Sequence, residues 1–404
     1  MGLFSERSTF RWPEAIVIVV LLLLGAFVFL PALKNVNEGG RRVSCKNNLA
    51  ILGAALQQYH AQHGSYLPGV IYERYTSRFD GTIAVESAGF SQTANSLLLP
   101  YLEATAITNV RLRNRPWYEQ PRAFRISTLS VFICPSNGNK TNPVDEPFMA
   151  LVGQIAGGPQ IDEWGPIDIY GLTDYLFCKG VTDAWCLTPG NVKPWSDLAH
   201  SDFTAVAHAE RGMFDIAFPL EDGLAGGSFV CTPSMIADGA SHTFMMGEGG
   251  QGPDFPITAR GRLTTSSDHA TLPHPQDASI IYPIYQAWML PPNTSEGVAR
   301  GLYLGSVFGC TLEPLNQSPV THTVIETDPR DLMNCRPSLD WDGPAGPAPG
   351  GGVHRTSNFR SAHKGGGHFL YADASVQFID DDIDLGTYRA MSTIAGEEKV
   401  ETQD

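Results

Sequence analysis

The sequence predicts an α+β fold in which one long N-terminal helix packs on a large β-rich globular domain. The first observation is an uninterrupted apolar run at 15–33, followed by an amphipathic stretch at 43–63. The second is that short apolar segments alternate with Gly, Pro, Asn and Asp after Pro68, as strands and turns do. The third is the content of 41 glycines and 29 prolines, which is too high for a helical bundle.

The overall composition narrows the function classes. The chain of 404 residues has 42 acidic and 27 basic side chains, which gives a formal net charge of −15. Because neutralising phosphates requires clustered Lys and Arg, this balance argues against a nucleic-acid partner. Apolar residues make up 43% of the chain and charged residues 17%, so a wholly disordered protein is also excluded.

The apolar run at 15–33 contains no charged or strongly polar side chain. Its length matches the roughly 20 residues that a membrane helix needs, whereas the apolar region of a signal peptide is shorter. We therefore expect a single-pass membrane helix, with a buried core helix as the alternative. Glu14 lies at the edge of the run, where a carboxylate is costly unless it stays at the interface or meets a positive partner.

The segment from Val43 to His63 has the pattern of an amphipathic helix. Its apolar side chains recur every three or four residues, which places them on one face. These side chains are Cys45, Leu49, Leu52, Leu56 and Tyr59. Gly64 predicts the end of this helix, and Gly39-Gly40 predicts a hinge between its membrane and amphipathic parts.

These patterns divide the chain into a helix at 10–65 and a β-rich domain at 66–404. Within the domain we interpret about 153–331 as a long insertion, and 343–352, which is rich in Gly and Pro, as a flexible loop. Strands are predicted at 131–134, 244–246 and 376–379. The last of these forms a hairpin with 369–371 across the turn Asp373-Ala374.

The segment Phe10-Arg-Trp-Pro-Glu-Ala15, followed by the apolar run, resembles the class III signal of type IV prepilins and pseudopilins. The resemblance implies a leader at 1–9 that a prepilin peptidase removes before Phe10, with methylation of the new amine. Glu14 is then the fifth residue of the mature chain, and Pro31 marks the usual kink of the helix. Thr9 stands where these signals have glycine.

The same resemblance implies a location and partners. The protein would lie in the inner membrane with a cytoplasmic N-terminus and an extracytoplasmic domain, periplasmic or at the cell surface. Its partners would be the prepilin peptidase and other pilin-like subunits of a type II secretion or type IV pilus-like assembly. In a fibre, Glu14 would neutralise the amine of a neighbouring subunit inside a core of low dielectric constant.

Five short segments follow one another along the chain. They are Arg-x-x-Cys-x-Asn-Asn-Leu at 42–49, an aromatic run at 59–68, Cys-Pro-Ser at 134–136, Asp-Gly-x-Ser-x-Thr at 238–243, and a His and an Asp with nine residues between them at 363–373. Together they resemble a bacterial family that joins a prepilin-type N-terminus to a C-terminal H-x9-DG motif, catalogued as a domain of unknown function and also labelled solute-binding. The matching residues are Cys45, Asn47, Asn48, Cys134, Asp238, Gly239, His363 and Asp373. Ala374 stands where the motif has its glycine.

Two groups of side chains are candidate metal ligands. The first is His354, His363, His368 and Asp373, whose spacing matches no zinc signature. We assign no metal there, because the hairpin has Asp373 capping its own turn and His363 pairing with a nearby carbonyl or carboxylate. The second group is a weak calcium candidate, with a solvated acidic run as the alternative. It consists of Asp380, Asp381, Asp382 and Asp384. No other cofactor is expected.

Seven cysteines are present, none of them in a C-x-x-C pair. Because an extracytoplasmic domain meets oxidising conditions, we expect disulfides. The preferred pairs by sequence proximity are Cys178–Cys186 and Cys310–Cys335. Cys45 and Cys134 either form a disulfide that joins the helix to the domain or remain two buried thiols, and the sequence leaves both alternatives open.

No nucleophile elbow, H-E-x-x-H or Walker A motif occurs in the sequence, so we expect no enzymatic activity. The expected function is that of a membrane-anchored, pseudopilin-like structural protein. The alternatives are a surface-tethered solute- or glycan-binding module that forms no fibre, and a hydrolase on a stalk.

Overall fold

The computed structural model describes long stretches at the two ends of the chain and shorter stretches in its middle. The described residues are 12–79, 83–112, 120–138, 140–145, 169–181, 188–189, 203–204, 210–217, 229–256, 258–260, 269–271, 273–274, 277–281, 283–289, 307–311, 313–317, 320–322, 354–355 and 358–396. The predictions on Thr9, Phe10, Cys186 and Cys335 lie outside this set, as does the loop at 343–352.

The N-terminal helix α1 runs without interruption from Trp12 to His63, a length of about 78 Å at 1.5 Å per residue. It ends as the sequence predicts, because Gly64 takes a φ of +74° and donates its N–H to His60 O at 2.8 Å. The predicted hinge at Gly39-Gly40 is wrong. Both glycines are exposed and helical, since the hydrogen bonds of the surrounding turns tolerate them at a cost of about 1 kcal/mol each.

Among the described residues, no helix is both long and apolar enough to cross a membrane. Glu14 and Pro31 lie within α1, but their side chains are outside the described set.

Among the residues that the structure describes, four short α-helices follow α1: α2 Ala94–Leu98, α3 Thr105–Val110, α4 Arg122–Arg125 and α5 Leu385–Ala390. The described strands, in chain order, are β1 Val70–Phe79, β2 Ile83–Thr93, β3 Val144–Asp145, β4 Ile169–Tyr170, β5 Tyr175–Cys178, β6 Thr188–Pro189, β7 Phe203–Thr204, β8 Ile216–Ala217, β9 Phe244–Glu248, β10 Gly252–Pro256, β11 Thr258–Arg260, β12 His269–Thr271, β13 Pro273–His274, β14 Asp277–Ile281, β15 Pro283–Ile284, β16 Phe308–Gly309, β17 Val320–His322, β18 His354–Arg355, β19 Gly366–Tyr371 and β20 Val376–Asp380. The mixture of helix and strand confirms the α+β class.

A five-stranded sheet in the order β16-β5-β9-β19-β20 forms the centre of the domain. Strands β16 and β5 pair in parallel, and the other neighbours are antiparallel. The predicted strands at 244–246 and 376–379 and the predicted C-terminal hairpin are confirmed. The region about 153–331, which the sequence suggested as an insertion, supplies β5, β9 and β16 to this sheet and is therefore part of its centre.

The two faces of the sheet bury different partners, because successive side chains of a strand point to opposite sides. On one face, Leu370, Phe177 and Met246 belong to the same buried cluster as Leu49 and Leu52 of α1. On the other face, a second buried cluster contains other residues of the sheet and Tyr388 of α5, and Phe244 reaches this face across an irregularity in the pairing of β9 with β19. The strand members of the second cluster are Leu176, Cys178, Phe244, Phe369, Tyr371 and Ile379. The helix therefore forms one layer and the sheet the next.

The predicted strand at 131–134 is wrong. Ser130–Phe132 forms a 3-10 turn, and Cys134 follows in a loop. The reason is that side chains take the backbone groups that a neighbouring strand would need: Asp174 Oδ2 accepts from Cys134 N at 2.9 Å, and Asn48 Nδ2 donates to Ile133 O at 2.8 Å. A short apolar run alone does not distinguish these outcomes.

The turn between β19 and β20 generates a prediction about stability. Ala374 has a φ of +68°, a conformation that costs an L-residue roughly 1–2 kcal/mol and glycine almost nothing. After the extra freedom of glycine in the unfolded chain is subtracted, we expect Ala374→Gly to raise the free energy of unfolding by about 0.5–1 kcal/mol. Urea unfolding measures this change. Ala372→Gly is the control in the same hairpin: it should lower stability, because Ala372 is buried and has no positive φ. A loss of stability in Ala374→Gly would contradict the argument.

Candidate functional site

Residues from three of the five sequence segments, those at 42–49, 134–136 and 363–373, meet where the inner face of α1 touches the domain. We call this region the seam and define it by side chains from α1, from the Cys-Pro-Ser loop and from the central sheet. They are Glu38, Arg42, Cys45, Asn48, Cys134, Ser136, Glu248, Ser361, His363 and His368.

The spacing of four residues along α1 places them all on the side of the helix that faces the seam. Glu38, Arg42, Cys45 and Asn48 recur every three or four residues and so lie on one side of α1. Arg42 donates to Lys364 O, and its guanidinium lies 4.6 Å from the ring centre of Phe378. The stripe continues as fully buried apolar residues, which confirms the predicted amphipathic face. These are Leu49, Leu52 and Leu56.

A disulfide between Cys45 and Cys134 joins α1 to the domain, with Cα atoms 5.0 Å apart. Of the two alternatives that the sequence left open, the structure has the bonded one. The link closes a sequence separation of 89 residues. It ties the midpart of α1 to the Cys-Pro-Ser loop.

His363 bridges two carboxylates from distant parts of the chain. Its Nδ1 lies 2.7 Å from Glu38 Oε1 on α1, and its Nε2 lies 3.3 Å from Glu248 Oε1 on β9. The same oxygen of Glu248 is 3.0 Å from His368 Nδ1, and its other oxygen accepts from Ser361 Oγ. The expectation that His363 pairs with a nearby carboxylate is therefore confirmed.

Opposite charges dominate the electrostatics of this cluster. Burial by itself lowers the pKa of His363, but the hydrogen bonds and charges of Glu248 and Glu38 outweigh burial and raise that pKa above 6.5. Burial by itself raises the pKa of Glu248, but His363 and His368 lower it to about 2. The carboxylates around His363 therefore favour the protonated form of its imidazole over the neutral one.

A second polar cluster, around Asp174, joins the Cys-Pro-Ser loop to the central sheet. Buried Asp174, at the start of β5, accepts from Lys140 Nζ at 2.7 Å, from Asn137 Nδ2 at 2.8 Å and from Gln251 Nε2 at 2.9 Å, besides Cys134 N. Burial raises the pKa of Asp174, and the charge of Lys140 opposes that rise. On the side of the loop that faces α1, Ser136 Oγ donates to Glu38 Oε1 at 3.0 Å.

The other residues of the sequence segments have structural contacts. Asp373 Oδ1 accepts from Ser375 N at 2.9 Å and so caps its own turn, as expected. Asp238 Oδ2 accepts from Gly396 N at 2.8 Å, and Gly239 has a φ of +94°, which favours glycine. Asn47, unlike Asn48, is exposed.

Two aspartates of the acidic run make structural contacts, and the weak calcium candidate there stays a prediction. Asp384 caps α5 by accepting from Thr387 N at 2.9 Å, and Asp381 contacts Asn316 Nδ2 at 3.4 Å. All four of its aspartates, Asp380, Asp381, Asp382 and Asp384, are exposed. Within the described part of the chain, the group with metal-ligand spacing is Cys45, Cys134, Glu248 and His363 instead.

The predicted pairing of Cys178 with Cys186 disagrees with the structure. Cys178 is a free thiol on the buried strand β5, and its Sγ contacts Ser392 O at 3.5 Å. Burial raises the pKa of this thiol to about 12, which makes it unreactive. Cys310 is also buried, and its pairing with Cys335 stays a prediction.

The chain matches a family of proteins of unknown function, DUF1559, which also carries the label SBP_bac_10, over residues 34–386. The chain belongs to the DUF1559 family. No curated protein and no solved structure matches the chain significantly. The DUF1559 match contains every residue of the seam, whereas the apolar run at 15–33 precedes it.

Removing the disulfide should cost this DUF1559 protein much of its stability. A loop of about 90 residues corresponds to about 4–5 kcal/mol in the chain-entropy treatment, so Cys45→Ala with Cys134→Ala should lower the free energy of unfolding by up to that amount. Urea unfolding of the oxidised protein measures the loss. Cys178→Ala, which removes a buried thiol outside the seam, is the matched control with a smaller loss. Equal losses in the two proteins would show that the disulfide contributes nothing beyond packing.

The pKa shifts of His363 and Glu248 predict how stability depends on pH. Because the pKa of His363 is raised on folding, its contribution is complete below pH 6.5 and disappears as the pH rises through the folded value. Because the pKa of Glu248 is lowered from 4.5 to about 2, its contribution is complete above pH 4.5 and disappears as the pH falls toward 2. The difference in unfolding free energy between wild type and His363→Gln should therefore be largest between pH 4.5 and 6.5.

Thermal or urea unfolding across that pH range measures the difference. His242→Gln, which alters an exposed histidine in the turn before β9, is the control and should show no maximum in this window. A difference for His363→Gln that does not change with pH would mean that the imidazolium does not form.

Proposed function

We propose that this DUF1559 protein is a pseudopilin-like structural subunit. In this role the first half of α1 packs in a membrane or against the helices of other subunits, and the domain is held on its second half. The observation that carries the proposal is the division of one continuous helix of 52 residues into an exposed apolar part and a buried part.

Side-chain exposure supports this division. Ile16, Leu21 and Leu23 are 59%, 62% and 65% exposed, whereas Leu49 and Leu52 are 0% exposed. A continuous apolar surface of this kind is unfavourable in water and marks a surface that another apolar body covers. Lipid and neighbouring helices both meet that requirement.

The prepilin-like N-terminus supplies the assembly chemistry of the proposal. Cleavage before Phe10 would give the mature chain an N-terminal amine four residues from Glu14. In a fibre of low internal dielectric constant, an unpaired Glu14 carboxylate would be strongly destabilising, so it would pair with the amine of the adjacent subunit. The prepilin peptidase and other pilin-like subunits would then be partners.

In this proposal the protein crosses the inner membrane once, and its domain lies on the extracytoplasmic side. A disulfide that joins α1 to the domain is compatible with an oxidising compartment. We propose no enzymatic activity for this domain. The family label SBP_bac_10 favours a second candidate, a surface-tethered solute- or glycan-binding module that does not assemble.

Fibre assembly tests the first proposal. Wild type, Glu14→Ala and Glu6→Ala are expressed in a bacterium with a type IV pilus-like assembly system, and sheared surface fibres are compared with the membrane fraction by immunoblot. We expect wild type in the sheared fraction and Glu14→Ala at background there but present in the membrane. Glu6→Ala changes a carboxylate of the leader that cleavage removes, so it should assemble like wild type.

The N-terminus of the assembled protein is read by mass spectrometry in the same preparation and should be methylated Phe10. A Glu14→Ala protein that assembles normally would contradict the pilin mechanism. Wild type that remains only in the membrane with an intact Met1 would favour the tethered binding module.

A further inference from the structure

We propose that the reduced chain binds one zinc ion at the seam through Cys45 Sγ, Cys134 Sγ, His363 Nε2 and Glu248 Oε1. These four ligand atoms lie within 4.8 Å of one another, and all four residues are buried. The proposal is independent of fibre formation, because it depends only on side chains that α1 and the domain contribute to one place.

Two of the distances between the prospective ligand atoms already fit a tetrahedral zinc site. With bonds of about 2.3 Å to sulfur and about 2.0 Å to nitrogen and oxygen, tetrahedral geometry requires about 3.5 Å between sulfur and nitrogen and about 3.3 Å between nitrogen and oxygen. Cys134 Sγ lies 3.6 Å from His363 Nε2, and His363 Nε2 lies 3.3 Å from Glu248 Oε1. The two sulfurs, which are bonded to each other, must separate for both to bind the metal.

The groups behind the ligands are those that a zinc site uses. A zinc-bound histidine usually donates its other ring N–H to a carboxylate, which orients the ring and strengthens the ligand. His363 Nδ1 already faces Glu38 Oε1 at 2.7 Å. Glu248 is oriented in turn by Ser361, which donates to Oε2, and by His368 at Oε1.

The donor set selects the metal. Two thiolates and an imidazole favour zinc over calcium or magnesium, which prefer oxygen ligands only. Four protein ligands leave no position for a substrate, so the site would be structural.

Reduction followed by metal binding would convert the disulfide into the zinc site. A dithiol reductant supplies two electrons and two protons, becomes a disulfide itself, and breaks the Cys45–Cys134 bond to give two thiols. Zinc then replaces both thiol protons and binds the unprotonated Nε2 of His363, whose ring proton lies on Nδ1 facing Glu38. Disulfide and zinc site exclude each other because they use the same two sulfurs. Either one connects α1 to the domain.

Cobalt titration tests the proposal on the full chain. Wild type is reduced anaerobically, freed of reductant and titrated with Co²⁺, and then with Zn²⁺ as competitor. We expect one Co²⁺ per chain, with thiolate-to-cobalt charge transfer and the visible bands of tetrahedral cobalt, both abolished by Zn²⁺. The oxidised wild type, which has the same sequence, should show neither signal.

Variants assign the ligands. Cys45→Ala and His363→Gln should abolish the tetrahedral spectrum, and Glu38→Gln, which alters only the partner of the histidine, should weaken the affinity by about 10–100-fold. Cys178→Ala removes another buried thiol and should leave the spectrum unchanged. Far-UV circular dichroism follows the fold throughout.

Three results would overturn the proposal. One is a reduced wild type, folded or not, that gives no thiolate-to-cobalt band on titration. Another is the same spectrum in Cys45→Ala as in wild type. The third is loss of the band in Cys178→Ala in place of Cys45→Ala, which would put the thiolate ligand elsewhere.

Discussion

The position of α1 on the domain depends on one set of contacts, those that join His363 to Glu38 on the helix and to Glu248 in the sheet. His363 and Glu248 are buried, and burying ionisable groups costs free energy unless their partners stay in place. Glu38 comes from the helix, Glu248 from the central strand β9, and His363 from the segment before β19. A helix shifted by one turn would leave Glu248 and His363 buried with an incomplete set of partners.

This constraint explains why polar residues lie among apolar ones at the seam. The leucines of α1 supply the hydrophobic area, but apolar contacts are non-directional and tolerate repacking. The carboxylates, the amide of Asn48 and the disulfide have fixed partners, so they select a single rotation and axial position of the helix. The cluster around Asp174 does the same for the Cys-Pro-Ser loop. The hydrophobic area and the choice of one orientation therefore come from different side chains of the same face.

The sequence predicted those features that repeat over short distances. The buried face of α1 followed from a period of three to four residues, and the C-terminal hairpin followed from alternation around the turn at Asp373. The same local reasoning failed at Gly39-Gly40, where the helix continues, and at 131–134, where Asp174 and Asn48 capture the backbone. Pairing cysteines by proximity failed at Cys178 because sequence distance carries no information about burial on a central strand.

The candidate site was predicted only in part, for a physical reason. Cys45, Cys134 and His363 were candidates because they stand in recognisable segments. Glu38 forms a hydrogen bond with His363 across 325 residues of sequence, and no local pattern indicates that these two residues are partners. Charge pairs have no periodic pattern, so Glu38, Asp174 and Lys140 were missed. Glu248 follows closely after the Asp-Gly segment. A charged residue just after the apolar segment 244–246 was the sequence signal that could have distinguished it.

The position of the disulfide along α1 has a mechanical consequence. Cys45 lies nearer the C-terminal end of a continuous rod about 78 Å long, between its exposed apolar part and its leucine face. Tension applied to the N-terminal end of the rod reaches Cys45 before it reaches the leucines, and a covalent bond carries it into the loop that Asp174 anchors to the sheet. Pulling on the helix therefore loads the central sheet directly. The hydrophobic contacts beyond Cys45 are sheltered from that force.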